Sequence, residues 1–391
     1  MKKTLKIVAM LLLVCVLLSS CEKSPAKVDS SKFVTSYPFI FVHGLSGWGS
    51  YDKQNKYLPY WGMFTGDLTE YLNEEGFECY SASVDPTGSA WDRACELYAQ
   101  LSGSVVDYGE EHSKRCNHAR YGKDFSDMPL IEEWDSEHKI NLLGHSFGGA
   151  TVRMLTEILA NGSEEEKKAT AEDDLSPLFS GGKADWVHSV TALAAPMNGT
   201  TAYDVDGSES IGDGFKAKLY EQLNKMMSIG TKERDDGRAD FDNANYDMLI
   251  DNAKIMNEQI QTLDNLYYFS IPCCSTLQAE DGTQYPDESK TEPLFMKPST
   301  LMGRFTETTL EGFVIDESWQ MNDGLVNTIS ATAPFNAPQQ PYDKGNVQKG
   351  VWNVMPTYDG DHMSLQGGIT KKNDVRDFYT ELLTMINGLK G

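Results

Sequence analysis

Ser146 lies in Gly144-His145-Ser146-Phe147-Gly148, between the apolar run "INLLG" and the helical pattern "ATVRMLTEILANG". G-x-S-x-G between a buried strand and a helix is the context of a nucleophile elbow. The turn must hold serine in an unfavourable backbone conformation with its hydroxyl exposed, so the neighbours two residues away must be nearly free of side chain. The following helix aims its N-terminal amides at an oxyanion forming on the substrate. The chemistry implied is acyl transfer. The competing reading, a glycine-rich turn that happens to contain a serine, is disfavoured by the strand before and the helix after.

A serine nucleophile needs a base, and the chain has seven histidines, at 43, 112, 118, 138, 145, 188 and 362. In this chemistry on an α/β scaffold the partners follow in the order serine, acid, histidine. His188 begins a buried strand soon after the elbow helix, which suits a packing or capping role. His362, in "TYDGDHMSLQG", lies in a turn-rich loop before the last helix and is the expected base. For the acid, "IDESWQMNDGLVNT" offers Asp316, Glu317 and Asp323. Asp323 is preferred because it precedes a glycine and a short apolar run. Asp359 and Asp361 are too close in sequence to His362 to be first choices. The backbone amides of Leu45, in the His43-Gly44 turn after the first strand, and of Phe147 are the expected oxyanion donors.

These groups need a scaffold, and segments of strand and helix composition alternate along the chain, the signature of an α/β fold with a mostly parallel sheet flanked by helices. Strands are expected over 37–44, 77–86, 139–144, 188–196 and 265–272, and helices over 91–101, 147–159 and 374–388. The last carries Val375, Phe378, Leu382, Leu383 and Ile386 on one face. The stretches 162–186, 203–245 and 275–312 are polar and aperiodic and read as excursions, so residues 37–391 are expected to form one domain with insertions.

The N-terminus is read separately. Lys2, Lys3 and Lys6 precede an apolar run from Ile7 to Leu18, a secretory signal too short to span a bilayer comfortably. Leu18-Ser19-Ser20-Cys21 resembles a lipobox, so residues 1–21 are expected to be a lipoprotein-type signal with Cys21 lipidated, and 22–36 a flexible tether. The expected location is extracytoplasmic, anchored to the membrane, or else secreted. The formal net charge is −24 over 391 residues. Losing the three signal lysines makes it −27, a charge that repels nucleic acid and anionic headgroups. Beyond Cys15 and Cys21 the cysteines are Cys79, Cys95, Cys116, Cys273 and Cys274, with no legible disulfide framework. No organic cofactor is called for, and the sequence does not fix an oligomeric state.

In order along the chain, "PFIFVHGLSGWG", "WDRACELYAQL", "VDYGEEHSKRCNHARYG", "LLGHSFGG", "SVTALAAPMNGTT", "MNDGLVNT" and "KGVWNVMPTYDGDHM" together resemble the secreted triacylglycerol lipases of the Geobacillus and Staphylococcus type. The resemblance runs from about Tyr37 to the final helix. It implies an α/β-hydrolase fold with inserted zinc-binding and lid segments, a Ser146–Asp323–His362 triad, the Leu45 and Phe147 oxyanion amides, and a lipid ester substrate. It also implies a structural zinc held by Asp92, His112, His118 and Asp242, with Asp240 or Asp247 as alternatives to Asp242 and Cys116 as a competing ligand. Three departures stand out. The family's calcium site near the catalytic histidine is doubtful here, because Ser364 follows His362 and the next acid is Asp374. The lid stretch is short and charged, with Phe215, Leu219, Leu223, Met226 and Met227 as its apolar stripe; a carboxylesterase for short or soluble esters is therefore the alternative activity. Finally, Phe147 stands where relatives often carry a polar residue, so its ring is expected at the pocket wall.

Overall fold

The computed structural model describes residues 28, 30–205 and 237–391. The signal with Cys21, residues 22–27 and 29 of the tether, and the apolar stripe of the lid stretch lie outside the described residues.

Seven strands form the central sheet: β1 (Phe39–Val42), β2 (Cys79–Ala82), β3 (Ile140–His145), β4 (Val187–Leu193), β5 (Tyr267–Ile271), β6 (Gln339–Pro341) and β7 (Trp352–Val354). Their order is β6-β7-β5-β4-β3-β1-β2, and every pairing is parallel. Parallel strands need crossovers, and here helices supply them on both faces. The side-chain alternation of period two divides the core. Ile40, Val42, Leu142 and Val190 face one side, packing with Leu97, Leu101, Val152, Leu155 and Leu159. Phe39, Phe41, Leu143 and Phe269 face the other, packing with Leu72, Tyr379, Leu383 and Ile386.

Of the helices α1 (Leu68–Glu74), α2 (Ala90–Ser102), α3 (Glu110–Cys116), α4 (Gly148–Asn161) and α5 (Arg376–Asn387), all but α3 carry those residues. Ser89 caps α2 by accepting the Asp92 amide at 3.2 Å, and Gly103 ends it in a left-handed conformation. α4 starts directly from the turn after β3. The expected strands and helices are all present within a few residues. The edge strands β6 and β7 were not expected: three residues each, containing Gln, Pro and Asn, are too short and polar for a periodic pattern. A hairpin, Val105–Asp107 with Tyr121–Asp124, brackets α3 outside the main sheet.

Candidate active site and metal-ligand cluster

Steric crowding dictates the turn at Ser146. Its φ is +54°, a left-handed conformation that costs a non-glycine residue about 1–3 kcal/mol. A Cβ on Gly144 would stand 2.3 Å from the Gly148 carbonyl, and one on Gly148 would stand 2.3 Å from the Val42 carbonyl oxygen. Both approaches exclude any other residue, which is the physical content of the pentapeptide. The Ser146 amide donates to Leu193 O at 2.8 Å, pinning the turn to β4.

The loops that follow β5 and β7 bring the other two side chains to it. His362 Nε2 lies 2.9 Å from Ser146 Oγ, and His362 Nδ1 lies 2.9 Å from Asp323 Oδ2. Asp323 Oδ1 accepts the Leu325 amide at 3.0 Å and the Val326 amide at 2.7 Å. The His362 amide donates to Asp323 O, so the two loops are also joined through backbone. All three residues are buried. The other acids are elsewhere: Asp316 is exposed and caps the Ser318 amide, Glu317 is exposed, and Asp359 pairs with Lys290. Asp361 is buried, but it accepts from the amides of Glu292 and Met363 and the hydroxyl of Ser364. Burial raises its pKa to about 6. His188 sits at the far end of β4 between the rings of Tyr37 and Tyr267, where burial lowers its pKa to about 4.

Among the described residues neither the Leu45 nor the Phe147 amide donates to a protein acceptor, and the turn before Leu45 closes on the serine so tightly that a Cβ on Gly44 would stand 2.6 Å from Ser146 Cβ. The Phe147 ring differs from expectation. It is fully buried with Ala90, Ala150, Ala244 and Met248, under the Arg93 guanidinium at 5.1 Å, and so is not at the pocket wall.

Sequence reasoning passed over four groups that organise this site. His145 Nε2 donates to the His362 carbonyl at 2.9 Å, which leaves Nδ1 to accept from Tyr60 Oη at 2.9 Å and from Gln366 Nε2 at 2.8 Å. Tyr60 Oη in turn accepts the Gly44 amide at 2.9 Å. Burial, and then the proximity of His362, holds the His145 pKa well below its usual value, so the ring is a neutral strut between the two loops. The fourth group is Arg93. Their residue types carry no spacing signal, because the contacts close only in three dimensions.

A second polar cluster lies between α2, α3 and the segment after residue 237. His112 Nε2 is 3.0 Å from Asp92 Oδ1 and 3.6 Å from Asp242 Oδ1. His118 Nε2 is 3.7 Å from Asp92 Oδ1 and 3.5 Å from Asp242 Oδ2. Ligand atoms about 2.0–2.2 Å from a tetrahedral zinc stand roughly 3.3–3.6 Å apart, so this spacing suits a metal ion. His118 Nε2 and both Asp242 oxygens are buried without a hydrogen-bond partner, and His118 Nδ1 is oriented by the Ala119 carbonyl. His112, Cys116, His118 and Asp242 form a group able to hold a metal. Within it the Cys116 sulfur faces the opposite nitrogen of His112, Nδ1, at 3.8 Å. Asp92 Oδ1 stands beside the same two imidazole nitrogens, while its Oδ2 is paired with Arg238 at 2.6 Å. Asp240 is exposed, and Asp247 is spent on the Ala90 amide, which leaves Asp242 as the acid of that segment.

The family model described as "Lipase-like, C-terminal domain" matches residues 35–241 and 233–389. The chain belongs to this lipase-like family. It is 34% identical over 402 residues to a lipase of Staphylococcus epidermidis, covering 94% of this chain and 55% of that protein. The chain thus spans about half the length of the curated relatives it matches. Among solved structures, EstA from Clostridium botulinum superposes with a TM-score of 0.80 at 32% identity, covering 94% of this chain and 92% of the other. The Staphylococcus hyicus lipase gives a TM-score of 0.73 at 28% identity, covering 94% and 98%. These neighbours and the seven-stranded sheet make the fold that of an α/β hydrolase.

Next to His362 this member of the lipase-like family uses protein groups as fasteners. The buried Glu292 carboxylate accepts the amides of Ile369, Thr370 and Lys371 at 2.7–2.8 Å, clamping the segment that follows the histidine. Ser364 is spent on Asp361, and Asp374 on Arg376. No described helix is long and apolar enough to cross a membrane.

Proposed function

We propose that the chain is a serine carboxylic ester hydrolase, a lipase acting on acylglycerol esters. The supporting observation is the continuous hydrogen-bonded chain Ser146–His362–Asp323 at 2.9 Å per link, on a strained turn beside two uncommitted amides. Ser146 Oγ attacks the ester carbonyl while His362 Nε2 takes its proton; Asp323 fixes the tautomer and stabilises the imidazolium. The Leu45 and Phe147 amides receive the oxyanion. As the tetrahedral intermediate collapses, His362 returns the proton to the leaving alcohol. Water then repeats the sequence on the acyl-enzyme.

Hydrolysis rates over a series of acyl chain lengths, soluble and emulsified, test the substrate class. Preference for long emulsified chains is the expected result. A preference confined to short soluble esters would replace the lipase reading with the carboxylesterase one, which the charges in the lid stretch favour. Activity undiminished in Ser146→Ala would end both.

Asp92, His112, His118 and Asp242 are the proposed ligands of one structural zinc, which would cross-link α2, α3 and the segment after residue 237 and take no direct part in bond cleavage. Metal analysis is expected to return about one zinc per chain, and a strong chelator to lower the melting temperature on the order of 10 °C. Metal-free protein with chelator-insensitive melting would remove the assignment. Lipidation of Cys21, holding the enzyme on the outer side of a membrane, completes the proposal. Membrane release on Cys21→Ala is the corresponding observation.

A further inference from the structure

Arg93 is fully buried, and among the described residues no carboxylate forms an ion pair with it. A buried unpaired guanidinium costs several kcal/mol unless its donors are taken up elsewhere. Its donors go to the loop that carries Leu45. Nη2 donates to the His43 carbonyl, Nη1 to the Gly44 carbonyl at 3.4 Å, and Nε to Thr151 Oγ1 on α4 at 2.9 Å. Its guanidinium carbon lies over the ring of Phe147, 5.1 Å from the ring centre, and the Phe147 amide is the other proposed oxyanion donor.

The Gly44 carbonyl belongs to the same peptide unit as the Leu45 N–H. That carbonyl also accepts from His43 Nδ1 at 2.8 Å, while His43 Nε2 accepts the Val84 amide. His43 is therefore the neutral Nδ1–H tautomer, and burial, with Arg93 beside it, lowers its pKa to about 3. The Gly44 amide is held by Tyr60. The Ser46 amide donates to the Pro86 carbonyl and the Gly47 amide to the Gly44 carbonyl at 3.2 Å, so among the backbone amides of residues 44–47 the Leu45 N–H is the one that no described protein group accepts. Hydrogen bonds to a peptide carbonyl also polarise the N–H of the same unit, more so when the donor is charged.

We propose that Arg93 is a positioning residue for the oxyanion pocket, turning the carbonyls of the 43–44 turn inward and strengthening the Leu45 N–H as a donor to negative charge developing beside Ser146. The proposal rests on the hydrolase reading above. Its mark is selective loss of transition-state binding, which packing alone would not produce.

Arg93→Met and Arg93→Lys test it, using an alkylboronic acid as probe. Ser146 Oγ adds to the boron, its proton passing to His362, and leaves a tetrahedral anion that needs the oxyanion donors. For Arg93→Met, kcat is expected to fall about 10- to 100-fold, somewhat less than for deleting a donor outright, with KM within twofold. Boronate affinity should fall by the same factor as kcat/KM. A non-hydrolysable ether analogue of the substrate should bind as it does to wild type. Arg93→Lys keeps the charge and the aliphatic stem and is expected to recover part of the loss; if Arg93→Met does not fold, Arg93→Lys is judged on the same readouts. Wild-type boronate affinity in the folded variants overturns the proposal, as does equal loss of ether and boronate binding. A wild-type enzyme that neither hydrolyses esters nor binds the boronate would instead overturn the hydrolase reading itself.

Discussion

Ser146→Ala is expected to lower kcat/KM for ester hydrolysis by about 10⁴-fold or more, with melting temperature little changed. The hydroxyl's hydrogen bond goes to His362 Nε2, and the turn is held by the Ser146 amide and by the glycine contacts around it, which alanine leaves in place. What the substitution removes is the atom that becomes the acyl-enzyme bond. His362→Ala should cost a similar factor, and the double variant little more, because groups that act as one unit do not contribute additively. The residual rate would come from the oxyanion amides and substrate binding alone. The measurement is steady-state hydrolysis of a chromogenic ester with each purified variant. A Ser146→Ala rate within tenfold of wild type would mean that the hydrogen-bonded chain is not the reaction centre.

Asp323→Asn is the second large effect, on the order of 10⁴-fold in kcat. The change is nearly isosteric, and asparagine oxygen can still accept the Leu325 and Val326 amides. Its NH2 then faces His362 Nδ1, which must accept instead of donate. The proton is forced onto Nε2, the nitrogen that should take the serine proton, and the base is in the wrong tautomer. Asp316→Asn is the matched control, since that exposed acid serves only its own short turn. Its activity should stay within twofold of wild type. Equal, small losses in the two variants would show that a different group orients His362.

Much of this site is legible in the chain because each part has a local steric or positional signature. The elbow is marked by its glycines two residues either side of Ser146, and His362 by elimination among seven histidines and by its place before the last helix. Long strands such as β3 and β4, buried at every position, announce themselves as apolar runs. β6 and β7 do not, since three residues cannot establish a period. The choice among Asp316, Glu317 and Asp323 depends on which carboxylate the loop turns inward, and that is settled by tertiary hydrogen bonds. For the metal cluster, two histidines six residues apart say little. Only the arrival of Asp92 and Asp242 from distant segments makes their spacing meaningful. Arg93, Tyr60 and Gln366 were silent for the same reason: each acts on groups 49 or more residues away, or reaches another loop through His145.

The uniform strand direction also sets the entry of the chain apart from the nucleophile. β1 enters the sheet at Phe39 and leaves at Val42 toward the Gly44 turn, so the chain arrives at one pole and the nucleophile stands at the other. Just before β1, the amides of Val34 and Thr35 are tied to the Asn387 carbonyl at the end of α5, fixing the arriving chain to that lower pole. With a lipid on Cys21, the membrane would pull on the pole opposite the reacting serine. Under that proposed anchor, a taut tether would leave Ser146 on the side away from the membrane. A slack one would let the domain turn over and bring the serine to the leaflet that holds it.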